Sequence, residues 1–266
     1  MDLGVKGRTY ILVGGTKGMG LETAKVMAAE GARLALISRS QANLDKVAAD
    51  LRKANGAEVE TFACDASQRG AVEAAIAAAI AKMGAPRGLL VTTGMTDNNG
   101  DLLSATDDNW QSNFDDVMMG TVRACRAAVP SMIAAGGGQI VTSAAYSARA
   151  AKNFLFPYAS LKAGLVNFTK NLAKTYGPDG IRANCVCPGA FETERVAQRI
   201  SDTMRDKNLS REAAAADVMV EQFKMPVALR RPGQAREAGE LMAFLLSERA
   251  GYMTGATINI DGGTDF

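Results

Sequence analysis

Tyr158 and Lys162 stand four residues apart, in Tyr158-Ala159-Ser160-Leu161-Lys162. On a helix that spacing puts both side chains on one face. A phenol titrates at about pH 10 and is a poor proton carrier unaided. A neighbouring ammonium stabilises the phenolate and draws that value toward neutrality. The pair is a candidate acid–base centre, although Tyr-x-x-x-Lys alone is a pattern common by chance. Its weight rises because the 266-residue chain contains no histidine. That absence removes Ser-His-Asp and Cys-His catalysis and histidine-containing zinc sites. No metal site is expected, and Tyr, Lys, Asp, Glu, Cys or water must move any proton.

A second set of residues could hold a dinucleotide. Gly14-Gly15-Thr16-Lys17-Gly18-Met19-Gly20 follows the apolar run Thr9 to Val13 and opens a helical pattern. Glycines at such a turn let the backbone approach a pyrophosphate. The helix N-terminus then offers free N–H groups and the positive end of its dipole. Gly14, Thr16, Lys17, Gly18, Met19 and Gly20 are the candidate cofactor residues here, and a purely structural turn is the alternative. A NAD site usually carries an acid at the end of the second strand, to hold the ribose hydroxyls. Here that strand ends Ile37-Ser38-Arg39-Ser40. Arg39 could stack on adenine and pair with a 2′-phosphate, Lys17 could reach the same phosphate, and Ser38 could hydrogen-bond it. NADP(H) is therefore expected over NAD(H). The bland reading of Lys17 and Arg39 is two solvated surface cations. Asp65, following Cys64, could accept the adenine amino group, cap a helix, or do both.

Strand and helix must alternate to place these residues. Apolar runs predict strands at Thr9 to Val13, Arg33 to Ser38, Val59 to Ala63, Gly88 to Thr92, Gln139 to Ser143, Arg182 to Val186 and Thr257 to Ile260. Helical periodicity predicts helices from about Met19 to Glu30, Asn43 to Asn55, Ala71 to Met83, Asp107 to Ala135, Pro157 to Tyr176 and Ala235 to Ser247. Near-continuous apolar strands mean that both sheet faces are covered. The expected fold is α/β: a three-layer, doubly wound parallel sheet of about seven strands, Rossmann-type, over residues 1–266 as one domain. Its ligand should lie at the carboxyl ends of the strands, where strand order reverses. Residues 194–231 break the rhythm. They are polar and helix-prone, with Met204, Met219, Phe223 and Met225 among charges. They read as a substrate lid, with a surface helical hairpin as the alternative.

Composition bounds the rest. Lys+Arg total 30 and Asp+Glu 28, a formal net charge of +2, with no basic block of the kind that grips nucleic acid. No stretch approaches the roughly 18 apolar residues that span a bilayer, and the first residues lack a signal-peptide layout. Cys64, Cys125, Cys185 and Cys187 form no disulfide framework and no CxxC pair. They read as buried structural thiols, and a cytoplasmic location fits.

With those residues in place, the chain resembles the short-chain dehydrogenase/reductase family over essentially its whole length. The resemblance rests on the Gly14, Gly18, Gly20 turn, on Asp65, and on Tyr158 with Lys162. Pro188-Gly189 with Thr193 and the tail Tyr252-Met253-Thr254-Gly255 through Asp261-Gly262-Gly263 complete it. It implies that the tyrosine exchanges a proton with a substrate oxygen while nicotinamide exchanges hydride at carbon. The lysine would hold the nicotinamide ribose and tune the tyrosine. Thr93, Gly94, Pro188, Gly189, Phe191 and Thr193 would line the cofactor. It also implies a homo-oligomer, tetramer or dimer, with the C-terminal segment at one interface.

Four positions depart from the family pattern. Val13 replaces a threonine, and Thr92-Thr93-Gly94-Met95 replaces Asn-Asn-Ala-Gly. The family serine thirteen residues before the tyrosine is Ala145, and a helix asparagine aligns with Val117, anchored on Trp110. Two of four expected catalytic residues are thus apolar. Losing one donor to a developing oxyanion can cost about 10²–10³ in rate. Ser143, Ser147 and Tyr146 stand nearby; Ser143 or Ser147 could substitute, or nothing does. Two expectations follow: a carbonyl/alcohol oxidoreductase acting on a small molecule, or a dinucleotide-binding protein with little turnover.

Overall fold

The computed structural model describes residues 2–94 and 99–264. Seven parallel strands form one sheet in the order β3-β2-β1-β4-β5-β6-β7. They are β1 (Thr9–Val13), β2 (Arg33–Ser38), β3 (Val59–Ala63), β4 (Gly88–Val91), β5 (Gly138–Ser143), β6 (Ile181–Pro188) and β7 (Thr257–Ile260). Helices α1 (Gly18–Ala29), α2 (Gln41–Asn55) and α9 (Ala235–Leu246) pack on one face around Leu12, Leu36, Leu90 and Val141. Helices α3 (Ala71–Met83), α5 (Gly120–Ala134) and α6 (Phe156–Tyr176) cover the other, around Ile11, Val13, Leu89 and Ile140. This is the three-layer doubly wound architecture that the apolar strand runs predict.

Strand order reverses at β1, which pairs with β2 on one side and β4 on the other. Val13 is in register with both Ile37 and Val91, so the loops after β1, β2 and β4 leave the sheet at one level. Among the described residues, no helix is long and apolar enough to cross a membrane.

The helix expected from Asp107 to Ala135 is not uniform. It runs as α4 (Asp107–Asn113), a π-helical segment (Phe114–Met119) and then α5. In the π segment the Gly120 N–H donates to the Asp115 carbonyl, five residues back. A π segment widens the helix and takes main-chain carbonyls out of the α ladder. The buried Arg123 braces it, donating to Asp115 at 3.0 Å and to the Ser67 carbonyl at 2.7 Å.

Residues 194–231 fold as α7 (Glu194–Lys207), α8 (Arg211–Asp217) and a π turn (Val218–Gln222). Ile200, Ala214, Ala215 and Val218 give this hairpin a small core of its own. It meets the body of the molecule through Met219, Met225 and Val227, against Tyr146 and Ala190.

Candidate active site

The glycine-rich turn is built by close approach. A Cβ on Gly20 would stand 2.4 Å from the Gly14 carbonyl oxygen, so only glycine lets α1 start there. Gly18 differs: its φ is +52° and nothing lies within 4 Å of where a Cβ would be. Its turn is open outward, and Lys17 at the N-cap provides no side-chain capping bond to α1. Free N–H groups bordering open space are what a pyrophosphate needs. Met19, beside them, packs partly against the core.

Thr92 settles how its loop works without the family's asparagine. Its hydroxyl lies 3.3 Å from both the Val13 and Gly14 carbonyl oxygens and fastens the β4 end to the glycine turn. Thr93 Oγ1 is buried and has no hydrogen-bond partner among the described residues. Gly94 has φ +93°, and a Cβ there would stand 2.8 Å from Val117 Cα, so this loop lies tight on the π segment. Met95, the last residue of that motif, lies outside the described residues.

Thr16 Oγ1 and Ser38 Oγ are 2.9 Å apart and link the β1 and β2 loops. Lys17 and Arg39 are both exposed at this corner. Arg39 bears on Asp116, whose carboxyl is nonetheless pushed up, first by burial and then by Asp65. Asp65 does not cap α3; that position belongs to Gly70. Its carboxylate instead accepts from the Ser67 N–H at 3.0 Å and the Ser67 hydroxyl at 2.8 Å, because a five-residue approach separates it from the helix start.

At the far end of the cleft, the Gly189 N–H donates to the Ile260 carbonyl at 3.0 Å and ties Pro188-Gly189 to β7. The Phe191 ring is taken up by Gly233, where a Cβ would stand 2.8 Å from it. Thr193 caps α7, accepting from the Val196 N–H at 3.3 Å.

Tyr158 and Lys162 come together on one face of α6, as their spacing predicts. Lys162 is only 2% exposed. Its Nζ donates to the Ser143 carbonyl at 2.7 Å and stands 5.5 Å from the Tyr158 ring centroid. The electrostatics differ from the expectation of a lowered phenol. Burial pushes Tyr158 up to about 12, with Tyr146 adding to the rise. Burial draws Lys162 down to about 8. Desolvation disfavours both charged forms, and it is the leading cause of each shift. Tyr158 is therefore held protonated.

The two apolar replacements are fully placed. Val117 is 0% exposed in the π segment, and its carbonyl accepts from the Thr121 hydroxyl at 3.3 Å. Ala145 is extended at the end of β5, ahead of a 3₁₀ turn (Tyr146–Ala148). The four cysteines are free thiols; Cys185 and Cys187 share one sheet face with Ala144.

A family model described as enoyl-(acyl carrier protein) reductase matches residues 13–265. A short-chain dehydrogenase/reductase, aba4, of Botryotinia fuckeliana is 33% identical over 96% of this chain and 96% of its own. The solved structure of L-sorbose reductase from Gluconobacter frateurii, complexed with NADPH and L-sorbose, is 30% identical. It superposes with a TM-score of 0.89 over 99% of this chain and 98% of that one. Levodione reductase gives 0.85 at 29% identity, covering 97% of each chain. Fold and site define a dinucleotide-type oxidoreductase acting between carbonyl and alcohol. The chain belongs to the short-chain dehydrogenase/reductase family.

Proposed function

We propose that the protein is an NADP(H)-dependent carbonyl reductase, with Tyr158 as general acid and Lys162 as its partner. The observation that carries this is the buried Lys162, held by the Ser143 carbonyl and set against Tyr158. Such a costly arrangement has no structural purpose that an apolar side chain would not serve better. When bound, the dinucleotide supplies the hydride. Tyr158 gives its hydroxyl proton to the substrate oxygen, and the nearby ammonium stabilises the phenolate left behind. A phenol kept protonated fits the reductive direction.

The preference for NADP(H) is supported by Lys17 and Arg39, exposed at one corner beside the linked Thr16 and Ser38. The open turn at Gly18 would take the pyrophosphate, and the Thr93 hydroxyl faces a role with the nicotinamide half. The NADPH-bound L-sorbose reductase supports the same assignment. The hairpin at 194–231 is read as a lid within one catalytic domain. A homo-oligomer is read from large apolar side chains left in solvent, Phe154 at 65%, Leu103 at 95% and Tyr252 at 103% exposed.

The test is NADPH oxidation against a panel of ketones and aldehydes. Tyr158→Phe is expected to lower kcat by about 10²–10⁴. Unchanged turnover in that variant removes Tyr158 from the role. Ala145 and Val117 keep a second reading alive, a binding protein with little turnover. Tight NADPH binding by calorimetry with no reaction across the panel would favour it.

A further inference from the structure

The replacement of the family serine by Ala145 leaves the substrate carbonyl without its expected hydrogen-bond donor. We propose that the Tyr146 hydroxyl takes that role, receiving and orienting the carbonyl oxygen opposite Tyr158. This rests on the reading of Tyr158 as proton donor.

Three hydroxyls compete, and their geometry separates them. Ser143 lies two residues before Ala145 on the same strand, a displacement of about 6.6 Å back from the sheet end. It is buried, in register with Val186 on the face of α1 and α9. Its carbonyl is already committed to Lys162 at 2.7 Å. Ser147 lies in the 3₁₀ turn, where successive side chains diverge by about 120°. Its neighbours claim two of those directions: Tyr146 packs toward the hairpin, and Ala148 toward Cys185 and Cys187. Ser147 takes the third, 4% exposed, and its hydroxyl finds no partner there among the described residues.

Tyr146 is placed differently. It directly follows Ala145, at the carboxyl end of the sheet. Its ring packs in the cluster of Met219, Met225 and Val227, with Ala190 and Phe223, so it forms the join between sheet end and hairpin. Lys152 Nζ stands 5.5 Å from the ring centroid. The Tyr146 phenol also bears on that of Tyr158 and adds to its rise, as befits neighbouring side chains at this end of the sheet. Burial also raises the Tyr146 phenol above its ordinary value. It therefore donates a hydrogen bond and keeps its proton, while the transferred proton comes from Tyr158.

The experiment compares Tyr146→Phe, Ala145→Ser and the double variant with wild type in steady-state carbonyl reduction. NADPH affinity is measured in parallel by calorimetry. Tyr146→Phe is expected to lower kcat/KM by about 10²–10³, the cost of one oxyanion donor, with NADPH affinity unchanged. Adding Ala145→Ser to Tyr146→Phe is expected to restore turnover, which a merely structural tyrosine would not permit. Retention of wild-type kcat/KM by Tyr146→Phe overturns the inference and leaves Tyr158 untouched. So does an inactive wild type that gains turnover on Ala145→Ser alone. If neither wild type nor Ala145→Ser reduces any carbonyl, the Tyr158 reading fails and the role of Tyr146 falls with it.

Discussion

Lys162 is the residue whose environment asks most of the fold. It has 2% of its surface exposed and, among the described residues, no carboxylate against it. Its ammonium is held by the Ser143 main-chain carbonyl. Folded, it gives up its proton at about 8, below the ordinary 10.5. Between those values the unfolded chain binds more protons, so the stability penalty of burying Lys162 is relieved as pH rises through that window. Activity runs the opposite way. The ammonium that stabilises a Tyr158 phenolate is lost above about 8, so kcat/KM for carbonyl reduction should fall there. Tyr158 itself, at about 12, adds no limb in the neutral range. A profile flat from pH 6 through pH 10 would detach the Lys162 charge from the reaction. The spacing of Tyr158 and Lys162 was enough to find the pair. It could not tell that desolvation, not the ammonium, dominates the phenol, because burial depends on residues distant in sequence.

At the scale of elements, the two glycines of the first turn do different work. Gly18 adopts φ +52° beside open space, whereas a Cβ on Gly20 would press on the Gly14 carbonyl at 2.4 Å and Thr92 Oγ1 at 2.8 Å. Gly18→Ala should cost about 1–2 kcal/mol from the left-handed conformation and weaken NADPH binding at least tenfold. Gly20→Ala should cost more stability, since neither contact can yield without moving α1 away from the sheet. Thermal melts with calorimetric titration of both variants check the contrast. Element positions were otherwise well marked, since buried parallel strands are apolar throughout and stop abruptly. The π segment between α4 and α5 left no such mark. Apolar residues keep helical spacing on both sides of the wider turn, so periodicity within each part does not reveal it. Its cause is tertiary: Arg123 joins Asp115 to the Ser67 carbonyl, and Gly94 presses on Val117.

At the scale of the molecule, the hairpin at 194–231 has a core of its own in Ile200, Ala214 and Val218. Its ties to the body gather at its return, in the apolar contact of Met219, Met225 and Val227 and in main-chain bonds from Ala228 and Leu229 to Gly263 and Gly262, while Arg211 pairs with Glu192. A lid built this way should exchange its amide hydrogens faster than the sheet, and slow when NADPH and a carbonyl ligand are both present. Equal exchange with and without ligands would make it a fixed surface hairpin. Light scattering tests the proposed homo-oligomer, with a mass of two or four chains expected and a monomer overturning it.

The parallel sheet, the glycine turn, the Tyr158–Lys162 pairing and the alanine at position 145 were all legible in the sequence. These are written locally, in apolar runs, in glycine positions and in a four-residue spacing on one helix. Only the tertiary structure decided what stands around Ala145. Ser143 stands buried on the α1 and α9 face of the sheet and Ser147 is buried in the 3₁₀ turn, whereas Tyr146 meets methionines more than seventy residues away. Which hydroxyl faces a substrate depends on how the hairpin returns to the sheet end. No short stretch of sequence records that return, because it is set by packing between segments that are far apart in the chain.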